Sequence, residues 1–413
     1  MKNKTIMSYV LLIFMVSSAF SQSDDKAQSL LEYIQEAEGN NPEIQAFELR
    51  YNIAEEKKNE ANSLPNTEFS AGYFVVPTET RTGTQIGKFS AKQMMPWFGT
   101  ITARENYASA LADAEFVSIA IAKRKLALAV SQSYYKLYEI RAQQSVLDEN
   151  IQLLNTYEQL ALTSVEVGRA SAVDVLRLQI RQNELQQEKE VLEEAFLSER
   201  TTFNKLLNRN EDSPIAVVKT LEILEDEMVF AKENMALHPE ILKYDKLYES
   251  VAQSELLNQS EGKPSIGLGF DYVALSERTD IEIDKNGKDI FMPMLSVSVP
   301  IFNKRYKSIS KQNDLRQQEL QFQKDERLNV LQTAFAKAKG ARNQARIKYG
   351  TQVKNLKQAE DAEEILISSY ETGTIDFNDV LDIQELQLKF AMNQIDAVRM
   401  YYTQSAVVNY LVN

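Results

Sequence analysis

The sequence contains no cysteine, one histidine and one tryptophan among its 413 residues. Without cysteine there is no disulfide framework, no thiolate for a metal and no thiol to carry a lipid. The single histidine, His238, has no second imidazole or thiol to complete a metal site, and it stands where a helix cap belongs. Basic residues are outnumbered: 46 Lys and Arg against 59 Asp and Glu give a formal charge of -13. That balance argues against nucleic acid, whose phosphates need clustered cations. Glycine and proline, 13 and 9 in all, are missing from very long stretches. No Ser-His-Asp set, Gly-rich phosphate loop or carboxylate pair in a plausible cleft stands out, so neither enzymatic activity nor a cofactor is expected. Past the first residues, no apolar run approaches the roughly 20 residues that a membrane-crossing helix needs. If this chain enters a membrane, it does so as strands.

Residues 1–21 read as a signal peptide. Lys2 and Lys4 form a basic start, Ile6 to Val16 is a short apolar run, and Ala19-Phe20-Ser21 is a small-x-small cleavage site. Cleavage before Gln22 would leave a charge of about -15.

The remainder is written twice. Asn41-Pro42-Glu43-Ile44 recurs as His238-Pro239-Glu240-Ile241, Pro65 as Pro264, and Pro96-Trp97-Phe98-Gly99 as Pro300-Ile301-Phe302-Asn303. Gly168 followed by Asp174-Val175-Leu176 and Gln179 recurs as Gly373 followed by Asp379-Val380-Leu381 and Gln384. The spacing drifts only from 197 to 205 residues. The organisation expected is a first helix–β-hairpin–helix repeat over 22–207, a linker over 208–236 and a second repeat over 237–413.

Each repeat begins with a helix after Asn41 or His238, where proline suits the first helical position, and this helix runs to about 63 or 260. Two strands follow. A very long helix then spans about 99–166 and 304–371, of roughly 100 Å at 1.5 Å per residue. A turn at Gly168 or Gly373 reverses the chain, and a returning helix covers about 171–207 and 375–411. Leu126, Val130, Tyr134 and Leu137 recur at three- or four-residue steps, as in helices packed side by side. The fold class expected is mainly α with a small β part.

The strands alternate. Ile266, Leu268, Phe270 and Tyr272 point one way and Ser265, Gly267, Gly269 and Asp271 the other. Leu295, Val297 and Val299 alternate with Met294, Ser296 and Ser298. In the first repeat Phe69, Ala71, Tyr73 and Val75 oppose Glu68, Ser70, Gly72 and Phe74, and Phe89 lies between Lys88 and Ser90. This is the pattern of transmembrane barrel strands, with Phe69, Tyr73, Phe89, Ile266, Leu268, Phe270, Tyr272, Leu295 and Val297 toward lipid. A soluble hairpin with one packed face shows the same alternation. A membrane sheet cannot keep open edges and single-chain barrels start at eight strands, so four strands require several subunits.

Asn41-Pro42-Glu43-Ile44, Pro96-Trp97-Phe98-Gly99 and above all Tyr370-Glu371-Thr372-Gly373 with Asp379-Val380-Leu381 resemble the TolC-like outer-membrane efflux protein family. The resemblance implies a homotrimer with a twelve-stranded β-barrel in outer-membrane lipid and an α-barrel across the periplasm. It also implies docking to a periplasmic adaptor and an inner-membrane pump, with Gly168, Arg169, Gly373 and Thr374 at the adaptor-facing turns. Asp379 and Asp382 match the family's periplasmic gate, and Asp174 and Tyr370 match positions of its polar lock. A basic residue of that lock is replaced by Ile375. Ordinary helix-end acids remain the alternative for the two aspartates. A soluble periplasmic coiled-coil scaffold or adhesin is the alternative for the whole chain.

Overall fold

The computed structural model describes residues 29–168, 171–223, 232–280, 282–372, 374–375 and 377–412. The signal peptide, Arg169, Gly373 and the middle of the linker therefore lie outside the described residues.

Among the described residues seven α-helices and four strands follow the repeated order, with a short 3-10 helix at Lys232–Leu237: α1 Leu30–Asn40, α2 Pro42–Ala61, β1 Thr67–Thr80, β2 Gly83–Met95, α3 Thr100–Glu166, α4 Ala172–Leu206, α5 Pro239–Glu261, β3 Ser265–Ser276, β4 Ile290–Ser298, α6 Arg305–Glu371 and α7 Phe377–Val412. Helix α1 departs from expectation, since the first helix of the repeat was to begin at Pro42. Its start is a capping box: Glu32 N donates to Ser29 Oγ at 3.3 Å, and Ser29 N donates to Glu32 Oε2 at 2.7 Å. Asn41, read only as the cap of α2, ends one helix and begins the next.

The long helices α3 and α6 are each 67 residues, and Gly340 and Gly350 do not interrupt the second. Leu126, Val130, Tyr134 and Leu137 are buried, in a core shared with Tyr33, Ile44 and Phe203. Helix α3 packs against α2 and α4 on one side and against α5 and α7 on the other, while α6 closes the row against α5 and α7.

Two coaxial joints complete this arrangement. In the first repeat Asn41 caps α2 by accepting from Glu43 N at 2.9 Å, while its Nδ2 donates to Leu206 O of α4 at 3.0 Å. In the second, His238 Nδ1 accepts from Glu240 N at 3.2 Å and Nε2 lies 3.0 Å from Tyr410 O of α7. Since a carbonyl only accepts, the proton belongs on Nε2. One side chain thus caps the upper helix and tethers the lower one.

Burial holds His238 below the ordinary imidazole range, although Tyr410 O and Glu240 oppose this. The fold therefore favours the neutral ring, which alone can accept at Nδ1. The unfolded chain takes up a proton near pH 6.5, so stability present above that pH is lost as pH falls below it. Replacing His238 with Ala should cost about 1–2 kcal/mol. His238→Asn should keep the cap and remove this part of the pH dependence, as urea unfolding at pH 5 and pH 7.5 would show.

The linker's described part crosses the helices as an extended strap whose amides meet tyrosines. Tyr33 Oη accepts from Ala216 N at 3.0 Å, Tyr134 Oη from Val218 N at 3.1 Å and Tyr138 Oη from Leu221 N at 3.3 Å. Tyr402 of α7 donates to Glu222 O at 2.7 Å, so the strap also engages the second repeat.

The four strands form one antiparallel sheet in the order β1-β2-β3-β4. Phe270 lies opposite Ala91 and Pro293, Phe89 opposite Ala71 and Tyr272, and Leu268 opposite Gln93 and Leu295. Opposed residues share a face. This register puts Phe69, Phe89, Phe270 and Leu295 on one face, which Gln93 shares.

Two details differ from the simple alternation. The β1–β2 register shifts between Tyr73 and Thr78, so Val75 does not extend the paired apolar run. Strand β4 ends at Ser298, one residue before Val299.

Candidate functional site

Two regions concentrate the candidate residues: the exposed sheet and the far ends of the two long helical hairpins. On the sheet, Phe69, Phe89, Phe270 and Phe291 form an aromatic row across all four strands, with neighbouring ring centroids 6.2, 6.3 and 5.5 Å apart. The opposite face carries Glu68, Ser70, Lys88, Ser90, Lys92 and Asp271, and Lys88 pairs with the buried Asp271 carboxylate. Tyr73 is 75% exposed and Leu295 71%, and no described helix packs across the sheet. The apolar face is therefore bare in the single chain, and both β1 and β4 present an unpaired edge.

Beyond Ser276 the chain folds back over the hairpin tip. Arg278 N donates to Asn286 Oδ1 at 2.9 Å, and Gly287 N donates to Thr82 O at 2.7 Å with Gly287 at φ +75°.

At the other end, Gly168 takes φ +72° and lets the chain leave α3. Helix α4 then starts at a capping box in which Ser171 accepts at its side chain and Ser171 N donates to Asp174 Oδ2 at 3.2 Å. Asp174 is thus engaged at its own helix start. Beyond α6, Thr374 N and its hydroxyl both donate to Ser369 O, at 3.0 and 2.8 Å, tightening the second turn.

The tip has a shared apolar core in which Leu154, Tyr157, Leu178 and Leu185 of the first repeat meet Phe377, Val380 and Leu388 of the second. Tyr370 packs edge-on against Phe377, with centroids 4.9 Å apart. Its hydroxyl is buried and has no hydrogen-bond partner among the described residues. Ile375, at the position of the missing basic residue, packs against this core.

Asp379 and Asp382 are both exposed, one helical turn apart near the start of α7. Asp382 also borders a cavity of about 220 Å³ among α3, α4 and α7, together with Arg177, Arg181 and Glu385. Two polar contacts join the repeats here: Arg177 donates to Asn378 Oδ1, and Tyr157 donates to Glu363 Oε1 at 2.7 Å. None of these four residues is singled out by composition or motif. Aligning the two repeats on their turns was the available signal.

No protein-family model matches the sequence, and no similar curated protein was found. Solved structures do match. CusC, a protein that forms a transmembrane channel, aligns over 94% of this chain and 92% of its own, with TM-score 0.77 and 14% identity. The Campylobacter jejuni CmeC outer membrane channel covers 100% and 93%, with TM-score 0.74 and 13% identity. The open state of the Neisseria gonorrhoeae MtrE outer membrane channel covers 93% and 89%, with TM-score 0.71 and 17% identity. The chain has the fold of the TolC-like outer-membrane channels.

Proposed function

We propose that this chain is the outer-membrane channel component of a tripartite efflux or type I secretion system. It would act as a passive exit duct from periplasm to outside, with a gated periplasmic mouth. The carrying observation is the four-stranded sheet with one largely apolar face and, among the described residues, no helix packed across it and both edges unpaired. In lipid every backbone polar group needs a partner, so such a sheet must close with other copies. Three copies supply twelve strands.

The helices support the same reading. On the outermost helices Phe322, Ile347 and Ile365 of α6 and Leu176, Ile180 and Val191 of α4 are exposed apolar residues at opposite ends of the row. A second copy would cover both. The helical part would then stand in the periplasm, with an adaptor at the turns containing Gly168, Arg169, Gly373 and Thr374 and an inner-membrane pump beyond. A soluble coiled-coil scaffold or adhesin would leave the aromatic row in water, so the sheet disfavours it.

In this arrangement Asp379 and Asp382 of three copies would gather six carboxylates at the mouth, a focused field that attracts cations. The channel should fractionate with the outer membrane, require detergent for extraction and conduct cations selectively in planar bilayers. The double substitution Asp379→Ala and Asp382→Ala should weaken block by a trivalent cation about tenfold or more. Unchanged block would remove both residues from the gate, and extraction without detergent would favour the scaffold.

A further inference from the structure

The connections β2–α3, α5–β3 and β4–α6 meet around one cavity of about 620 Å³ where the sheet joins the helices. Arg104, Glu261, Lys263 and Arg305 supply its charged groups, and Trp97 and Tyr306 its rings. Its walls are tied together. Arg104 Nε and Nη2 both donate to Glu261 Oε1, at 3.1 and 3.0 Å, joining α3 to α5. Asn258 Nδ2 donates to Tyr306 O at 2.9 Å, joining α5 to α6. Arg305 N donates to Asn303 Oδ1 at 2.9 Å and fixes the start of α6.

The charges in the cavity do not balance. Glu261 is the one acid in the lining, and Arg104 already occupies it. Lys263 and Arg305 have no carboxylate partner among the described residues. The Trp97 indole N–H and the Ser265 and Ser298 hydroxyls, also in the lining, have no acceptor among the described residues either. The cavity thus holds two uncompensated cations beside unused neutral donors.

The two cations are not required to build such a connection. With Pro65 aligned on Pro264 and Gly99 on Asn303, Leu64 stands where Lys263 does and Ile101 where Arg305 does. The first repeat makes its own connections with apolar residues at both places.

The register gives the cavity a side. Ser265 and Ser298 oppose each other and share the face of Gly267, Ser296 and Lys92. The cavity therefore borders the base of the polar face, away from the aromatic row. A lipid phosphate would need the other face.

We propose that this cavity binds a phosphate-class anion carried on a small water-soluble solute. Lys263 meets it as a point charge and Arg305 as a planar fork. The space beside Trp97 and Tyr306 admits an organic body. That the polar face borders a water-filled duct rests on the function proposed above; the cavity itself lies within one chain.

Inorganic pyrophosphate is the probe. Calorimetric titration of the detergent-solubilised protein should show binding that Lys263→Gln and Arg305→Gln each weaken about tenfold, the scale of one charge-assisted hydrogen bond. Lys263→Arg should retain binding, and Lys337→Gln, further down α6, should match the parent. All three positions are exposed, so denaturation midpoints should stay in place. No binding by the parent, or equal binding by the two Gln variants, would overturn the proposal.

In planar bilayers pyrophosphate should lower the conductance of the parent and spare that of the variant carrying both Gln substitutions. A conducting parent that binds pyrophosphate without any block would overturn the placement in the duct. Binding that depends on Lys263 and Arg305 in a chain that never conducts would uphold the site and overturn the channel function instead.

Discussion

An arginine at Phe270 is expected to keep the chain out of the outer membrane. Phe270 sits mid-strand in β3, between Phe89 and Phe291 in the aromatic row, on the face proposed to meet lipid. A cation at the midplane of a barrel's lipid face costs about 2–4 kcal/mol. Three copies would each bear that cost in one closed assembly. Ser70→Arg is the matched control, because Ser70 is exposed on the opposite face among Glu68, Lys88 and Ser90. Outer-membrane fractionation and assembly into oligomers should both be lost in the first variant and kept in the second. Equal assembly of the two would refute the assignment of faces.

Arg399→Ala should strongly destabilise the helical part. The Glu139 carboxylate on α3 is buried and accepts from Arg399 Nε of α7 at 2.9 Å, with Lys136 as its other charged neighbour. Arg399 also donates to Asp396 at 2.6 Å, and these two carboxylates raise its pKa against the opposing effect of burial. Removing the guanidinium leaves a buried charge half-compensated, at a cost of about 3 kcal/mol. That is the lower end of the usual range, because Arg399 is itself a quarter exposed. The double change Glu139→Leu with Arg399→Leu should recover much of the loss, since no orphaned charge remains. Denaturation midpoints of the detergent-solubilised protein would show the non-additivity, and additive losses would mean that the pair is not coupled.

Much of this architecture was legible because it rests on regular patterns. The ends of α3 and α6 fall where Gly99, Gly168 and Lys304 place them. The period-two runs around Phe270 and Leu295 give the faces of the sheet directly. Helix α1 was not legible, because Asn41 serves two helices and the Pro42 signal concealed the Ser29 box before it. The hydrogen bonding of the strap was not legible either, since its amides are satisfied by tyrosines from distant helices instead of by a ladder with a sequence period.

At the tip, motif matching reached Asp174, Tyr370, Asp379 and Asp382, but the crossing contacts use Tyr157, Glu363, Arg177 and Asn378. Those contacts depend on two helices brought together by folding.

The coaxial joints also bear on how the molecule carries force. Beside each unbroken 67-residue helix runs a companion divided at Asn41 or His238. A twist applied at the hairpin tips travels along α3 and α6 as along solid shafts, reaching the strands with little loss. Along the divided companions it meets an articulation at one height, where a cap and a carbonyl can rotate about a shared side chain. The row of helices is therefore stiff along α3 and α6 and jointed along their companions. Torque at the tips would be relieved at Asn41 and His238 and passed to the strands along the two unbroken helices.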